Sequence, residues 1–151
     1  MPTIELTYKI QAPIELVFDL ARSIDVHKRS AAHTNETAIA GRTSGLIQEG
    51  ETVTWRAKHL GVYQTLTVRI AKMDSPTYFC DEHVSGAFPS FTHHHYFTDK
   101  GTHTLMRDVF QYQSPLGLLG RLADVIFLKR YMERFLDQRN LVIKELAEQE
   151  R

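Results

Sequence analysis

Two histidines, His93 and His95, are the side chains best suited to chemistry in this 151-residue chain. They lie in a segment of alternating apolar and polar residues, so both imidazoles project from one face of a predicted strand. The same alternation in two other segments turns Glu82 and Asp108 toward that face. An imidazole beside a carboxylate can act as a general base or a hydrogen-bond partner. We therefore take His95, Asp108 and Glu82 as candidate catalytic residues.

The same cluster has two other interpretations. Buried carboxylates and imidazoles must be paired or hydrated, so Asp108 and Glu82 could simply hold the imidazoles in fixed tautomers and brace the sheet. A metal site is the third interpretation, in which His93 and His95 are joined by Glu82 or His59. No complete ligand set stands out, and we expect neither a native metal nor a cofactor.

Hydrophobic periodicity predicts the elements that position these residues. Residues 3–11 alternate with period two and form a strand, and residues 13–21 form a short helix that begins at a proline. A second short helix runs to about residue 30, with Ser23 or Asp25 as its cap. Further strands, joined by short turns, are predicted at 35–40, 51–60, 62–73, 77–85, 90–98 and 103–113. Short connections make neighbouring strands antiparallel.

One uninterrupted helical pattern covers residues 118–148. Its second half has a stripe at helical spacing formed by Leu128, Met132, Phe135, Arg139, Val142 and Leu146. Residues 116–128 are apolar almost all round and are expected to pack on the short helices, form a dimer contact or gate a cavity. A solvated face, or a rim for an anionic head group, is expected from Arg121, Lys129, Arg130, Arg134 and Arg139.

These elements predict an α+β fold in one domain of residues 1–151. A curved seven-stranded antiparallel sheet would wrap around a long C-terminal helix, with two short helices after the first strand. The long helix is the only predicted element able to cover the inner face of the sheet. A sheet that curls away from this helix leaves a cavity between them.

Alternation assigns one set of side chains in each strand to the cavity. The predicted inward sets are Val53, Trp55, Ala57 and His59; Gln64, Leu66, Val68 and Ile70; Phe91, His93, His95 and Phe97; and Thr104, Met106, Asp108, Phe110 and Tyr112. In 77–85 the set Tyr78, Cys80, Glu82 and Val84 competes with Phe79, Asp81 and His83, and we favour the first. The candidate ligand-binding residues are Trp55, His59, Leu66, Glu82, His93, His95, Asp108, Phe110, Tyr112 and Phe127.

Composition narrows the class of protein. The 18 basic and 18 acidic residues balance, which argues against a nucleic-acid partner. A single cysteine, Cys80, excludes an intrachain disulfide and a cysteine-based zinc site, and its expected role is in the core. Neither a signal peptide nor an apolar run of about 20 residues is visible. We expect a cytoplasmic protein without stable membrane insertion, and a homodimer is left open.

Five motifs carry a resemblance to a known superfamily: WRAKHLG at 55–61, FCDEHVSGAF at 79–88, HHHYF at 93–97, TLMRD at 104–108 and PLGLLGRLAD at 115–124. The chain resembles the helix-grip superfamily (START-like, SRPBCC, Bet v 1-like), which includes START lipid-transfer domains, the major birch-pollen allergen and polyketide cyclases. It is most similar to a bacterial polyketide cyclase-like branch that is sometimes labelled as cell division inhibitors. Phe110 is bulkier than the residue usual in that branch, which would reduce the cavity.

The resemblance implies an internal hydrophobic pocket that binds a small hydrophobic or amphipathic ligand. One alternative is an enzyme of the cyclase or dehydratase type, in which His95 and Asp108 or Glu82 move protons in the same cavity. Another is an interaction protein of cell division in which the pocket is incidental. Because one fold hosts carriers, sensors and enzymes, the sequence leaves catalysis open, and we favour non-catalytic binding.

Overall fold

The strands and helices follow the order that the periodicity predicts. The computed structural model describes residues 2–114 and 127–150. Its elements are β1 (Thr3–Ile10), α1 (Ile14–Arg22), α2 (Ile24–Ser30), a 3₁₀ turn (Ala32–Thr34), β2 (Thr37–Gly41), β3 (Thr52–His59), β4 (Val62–Asp74), β5 (Tyr78–Gly86), β6 (Phe91–Asp99), β7 (Thr104–Tyr112) and α3 (Lys129–Glu150). Of the two candidate caps of α2, Ser23 is confirmed, because its Oγ accepts a hydrogen bond from the Val26 amide at 3.2 Å.

The strands form one seven-stranded antiparallel sheet in the order β1-β7-β6-β5-β4-β3-β2. Strands β2 to β7 are a meander, and β1 closes the order beside β7. Register shifts interrupt β2 near Ala38 and β4 at two places, between Thr67 and Val68 and between Ile70 and Lys72. Bulges of this kind bend and twist a strand. The predicted α+β class with a seven-stranded antiparallel sheet is confirmed.

The predicted inward sets are confirmed on β6 and β7, where every member is buried. On β3, Val53, Trp55 and Ala57 are buried and His59 is partly buried. On β4 the inward set holds at Val68 and Ile70, whereas Gln64 is exposed at the strand's end.

On β5 the favoured set is wrong. Asp81 pairs across the ladder with His93, and Phe79 pairs with His95. Directly paired residues project from the same face of a sheet, so Phe79 and Asp81 join the inward set. Glu82 lies on the opposite face, where Arg69 donates to its carboxylate at 2.7 Å.

The C-terminal helix α3 buries a face made of Leu136, Arg139, Asn140, Ile143 and Ala147. The predicted stripe differs from this face by about one residue, because the buried face includes the polar Asn140 and the small Ala147. Val142 and Leu146 of the predicted stripe are only partly buried. A solvated position is wrong for Arg139, which is 7% exposed, whereas Lys129, Arg130 and Arg134 are exposed. Predictions for residues 115–126, Arg121 among them, lie outside the described residues.

The helix packs against β1, α1 and α2. Tyr8 on β1 donates a hydrogen bond to Asp137, and Lys144 donates to the Lys9 carbonyl at 2.7 Å. Within residues 2–114 and 127–150, helices are too short or too polar to cross a bilayer.

Candidate functional site

A cavity of about 170 Å³ separates α3 from the inner face of the sheet. Its walls are mostly aromatic and aliphatic. Sheet residues around it include Trp55, Leu66, Val68, Phe91 and Phe110, and the helix side contributes Leu128, Met132, Phe135 and Leu136. The sheet and the helix therefore enclose the apolar hollow between them.

Of the ten predicted ligand-binding residues, five line this cavity: Trp55, His59, Leu66, His93 and Phe110. The side chains of His95, Asp108 and Tyr112 are buried outside the lining. Phe127 is 52% exposed and stacks on Tyr131 rather than facing the cavity. Glu82 is on the other face of the sheet, so it cannot serve as the predicted catalytic or ligand-binding carboxylate of this cavity.

Asp81 and Arg139 also line the cavity, although the sequence pattern did not place them there. Asp81 belongs to the less favoured of the two alternating sets of side chains in β5. Its pairing with His93 is visible only once the register of the strands is known. The sequence does contain a signal for Arg139, because this residue lies within an otherwise apolar helical stripe and such a stripe faces the core.

A buried polar network forms one wall of the site. His95 Nε2 donates to Asp81 Oδ1 at 2.7 Å, and His95 Nδ1 lies 3.6 Å from Asp108 Oδ1. Asp108 Oδ2 accepts from His93 Nε2 and from Asn140 Nδ2, both at 3.0 Å. The two imidazole rings stack with their centroids 3.9 Å apart. The network thus joins β5, β6, β7 and α3.

The pKa shifts divide the two histidines into different charge states. Burial alone would lower the pKa of His95, but the carboxylates of Asp108 and Asp81 raise it above 6.5. Burial and the neighbouring His95 charge lower the pKa of His93, despite the hydrogen bond to Asp108. Burial would raise the pKa of Asp81, but His95 lowers it to about 2. These shifts favour an imidazolium at His95, between two carboxylates, and a neutral imidazole at His93.

These charge states define what the polar wall can do chemically. Asp81 and His93 reach the cavity, whereas His95 and Asp108 hold them from behind. Since the Nε2–H of His93 donates to Asp108, its Nδ1 carries the lone pair of a base. Asp81, His93 and His95 also offer ligand atoms within 4.8 Å of one another. A cation there would have to displace protons and existing hydrogen bonds.

Two further polar pairs lie at the edge of the cavity. His59 Nδ1 and the Tyr131 hydroxyl are 2.7 Å apart, which connects β3 to α3, and burial lowers the pKa of His59. His27 stacks on Trp55 with ring centroids 4.2 Å apart, and its Nε2 lies 2.5 Å from Glu36 Oε1. The members of both pairs line the cavity, so polar groups border its apolar surface.

Comparison with known proteins places this geometry in a class of folds. No protein-family model matches the chain, and no curated protein matches it in sequence. Among solved structures, TTHA0849 of Thermus thermophilus superposes with a TM-score of 0.77 at 16% identity, covering 95% of each chain. A START superfamily protein of Mycobacterium smegmatis gives a TM-score of 0.74 at 11% identity, covering 99% of each chain.

A plant protein gives the same result: ginseng major latex-like protein 151 of Panax ginseng has a TM-score of 0.70 at 14% identity, covering 97% of each chain. The chain therefore has the helix-grip fold of the START and Bet v 1-like superfamily, and the predicted resemblance is confirmed at the level of the fold. Identities this low leave the ligand to be argued from the chain's own residues.

The orientation of β5 predicts that substitutions of two neighbouring carboxylates, Asp81 and Glu82, lower the free energy of unfolding by different amounts. Asp81→Asn should lower the free energy of unfolding by about 2 kcal/mol, because it removes a charge that stabilises a buried imidazolium. Glu82→Gln makes the same chemical change one residue away and affects an exposed ion pair, so it should cost at most about 1 kcal/mol. Urea unfolding at pH 7 measures both. A larger loss in Glu82→Gln would contradict the inward position of Asp81.

The raised pKa of His95 predicts a loss of stability on the alkaline side. Its stabilisation is fully present below 6.5, the pKa of an ordinary histidine, and is lost as the pH rises through the raised folded-state pKa. His93 is neutral in both states above 6.5 and contributes nothing in that window. We therefore expect the free energy of unfolding to fall as the pH increases above 6.5.

Urea unfolding at a series of pH values from 6.5 to about 7.5, below the ordinary pKa of a cysteine thiol near 8.5, measures this slope. His95→Gln should be less stable at pH 6.5 and should lack the decline. His94→Gln, on the same strand with its side chain bonded to Tyr78 instead, should retain it. A wild-type profile that stays level would show that His95 is not a buried imidazolium.

Proposed function

We propose that the protein binds a small hydrophobic or amphipathic molecule in the cavity between the sheet and α3. The observation that carries the proposal is the hollow of about 170 Å³ with its apolar lining. An engineered apolar cavity of about 150 Å³ holds benzene, so this cavity suits a small ring or a short chain. The helix-grip fold supports the same function, since the resemblance implies a hydrophobic pocket.

The size of the cavity limits how tightly apolar contacts alone can bind. Burying about 200 Å² of apolar ligand surface at about 25 cal/mol per Å² contributes about 5 kcal/mol. That corresponds to a dissociation constant between millimolar and micromolar before the costs of association are included. Polar groups on the wall must therefore supply orientation and part of the affinity.

Filling the cavity should abolish binding without unfolding the protein. Ala57 lies on the cavity wall and is 4% exposed, so Ala57→Phe places a ring in the ligand's volume. Ala71→Phe, at an exposed position on β4, is the matched control. Native mass spectrometry after incubation with lipid and polyketide extracts should show a bound small molecule on the wild type and on Ala71→Phe, but not on Ala57→Phe.

Thermal unfolding of both variants provides the folding control for this experiment. Wild-type protein that carries no added mass from any extract would argue against the binding function. Retention of the bound mass by folded Ala57→Phe would place the ligand elsewhere on the molecule.

A second function is favoured by the neutral His93 on the cavity wall. Its Nε2 is held by Asp108, which leaves Nδ1 able to accept the proton between two carbonyl groups of a poly-β-ketone, as a cyclase requires. General base catalysis typically contributes 10²–10⁴-fold, so His93→Asn should slow cyclisation of a synthetic triketide by at least about a hundredfold. His94→Asn should leave the rate unchanged. Equal rates for wild type and His93→Asn, measured by mass spectrometry of the product, would exclude this mechanism.

A further inference from the structure

One cation of the described part of the chain borders the apolar cavity with a buried donor that has no hydrogen-bond partner there. Arg139 lines the hollow from α3, is only 7% exposed, and has a buried Nε without a hydrogen-bond partner. Across residues 2–114 and 127–150, no hydrogen bond or ion pair within 4.0 Å involves Arg139, whereas Asp81 and His93 on the same wall are both hydrogen-bonded. The other two arginines of α3, Arg130 and Arg134, are exposed.

A guanidinium in this position requires a physical reason. It presents five N–H donors in a planar fork, and leaving such donors unsatisfied inside a protein is unfavourable. Asp81 is close enough to interact with Arg139 electrostatically, but the Oδ1 of Asp81 accepts from His95. Within the described ranges, Arg139 therefore has a counter-charge nearby but no hydrogen-bond partner.

The other charges around the cavity are already matched. Asp81 and Glu36 each lie against a histidine nitrogen, at 2.7 and 2.5 Å. Asp108 likewise lies 3.0 Å from the Nε2 of His93. An anionic group entering the cavity thus finds a cationic side chain without a hydrogen-bond partner among residues 2–114 and 127–150, next to walls that are mostly apolar.

We propose that Arg139 binds the acidic head group of the cavity's ligand, which makes that ligand a small hydrophobic acid rather than a neutral molecule. This inference rests on the proposed binding function. Two parallel N–H···O bonds from the guanidinium fork fit a carboxylate. The apolar part of the ligand would then extend along Trp55 and Leu66 of the sheet and Met132 and Phe135 of the helix side.

The test compares two probes that share a chain length and differ in the head group: octanoate and 1-octanol. Isothermal titration calorimetry at pH 7 should give wild-type binding of octanoate at least about tenfold tighter than that of 1-octanol, as expected for a charged hydrogen bond in a buried site. Arg139→Met keeps an apolar stem and should weaken octanoate at least about tenfold, with 1-octanol changed by less than about twofold. Arg134→Met, at an exposed arginine of the same helix, should behave as the wild type.

A second substitution guards against a folding defect in the first. Arg139→Lys keeps the positive charge beside Asp81 but removes the fork, and it should weaken octanoate several-fold while retaining a preference for the acid. Octanoate affinity that is unchanged in folded Arg139→Met would overturn the inference and leave Arg139 as an internal counter-charge of Asp81.

The outcome also separates this inference from the proposed function. Equal wild-type affinities for octanoate and 1-octanol, both lost in Ala57→Phe, would overturn the acid-binding role of Arg139 while supporting ligand binding in the cavity. Absence of binding by both probes to the wild type would count against the two together, because the cavity would then not accept a molecule of the size that it encloses.

Discussion

The buried contact of His95 with the carboxylates of Asp81 and Asp108, which raise its pKa, is the interaction on which the rest of the structure depends. A charge removed from water must be paired and hydrogen-bonded, so these three side chains have little freedom to move. Because they come from three adjacent strands, they fix the register of the sheet at its centre. Asn140 extends the same network to α3, which sets the distance between helix and sheet.

This spacing explains why an apolar hollow can exist beside a polar wall. The network holds α3 against the sheet at one end of the site, while aromatic residues such as Trp55, Phe91 and Phe135 surround the open volume. In a low-dielectric interior, each hydrogen bond is stronger and each unpaired polar group is more costly than in water. The buried Nε of Arg139, which has no hydrogen-bond partner in the described part of the chain, is therefore the feature of the wall with the greatest consequence for the choice of ligand.

Strand alternation predicted most of this arrangement, and its failures have physical causes. The clear alternation in β6 and β7 was enough to turn His93, His95 and Asp108 inward. In β5 both faces carry apolar and acidic residues, so the inward position of Asp81 depends on its cross-strand pairing with His93, which local sequence does not encode. The helix face was rotated because Asn140 is buried for its hydrogen bond to Asp108 and not for its hydrophobicity.

Binding and catalysis make different demands on the same wall. A general base must accept a proton in each cycle, but a protonated His93 would place a second positive charge in a ring stacked 3.9 Å from the His95 imidazolium. The lowered pKa of His93 expresses that cost, and it weakens His93 as a base near neutral pH. Holding a ligand requires no change of charge in the network, since Arg139 stays protonated at any physiological pH. The electrostatics of this site therefore favour a binding protein over an enzyme.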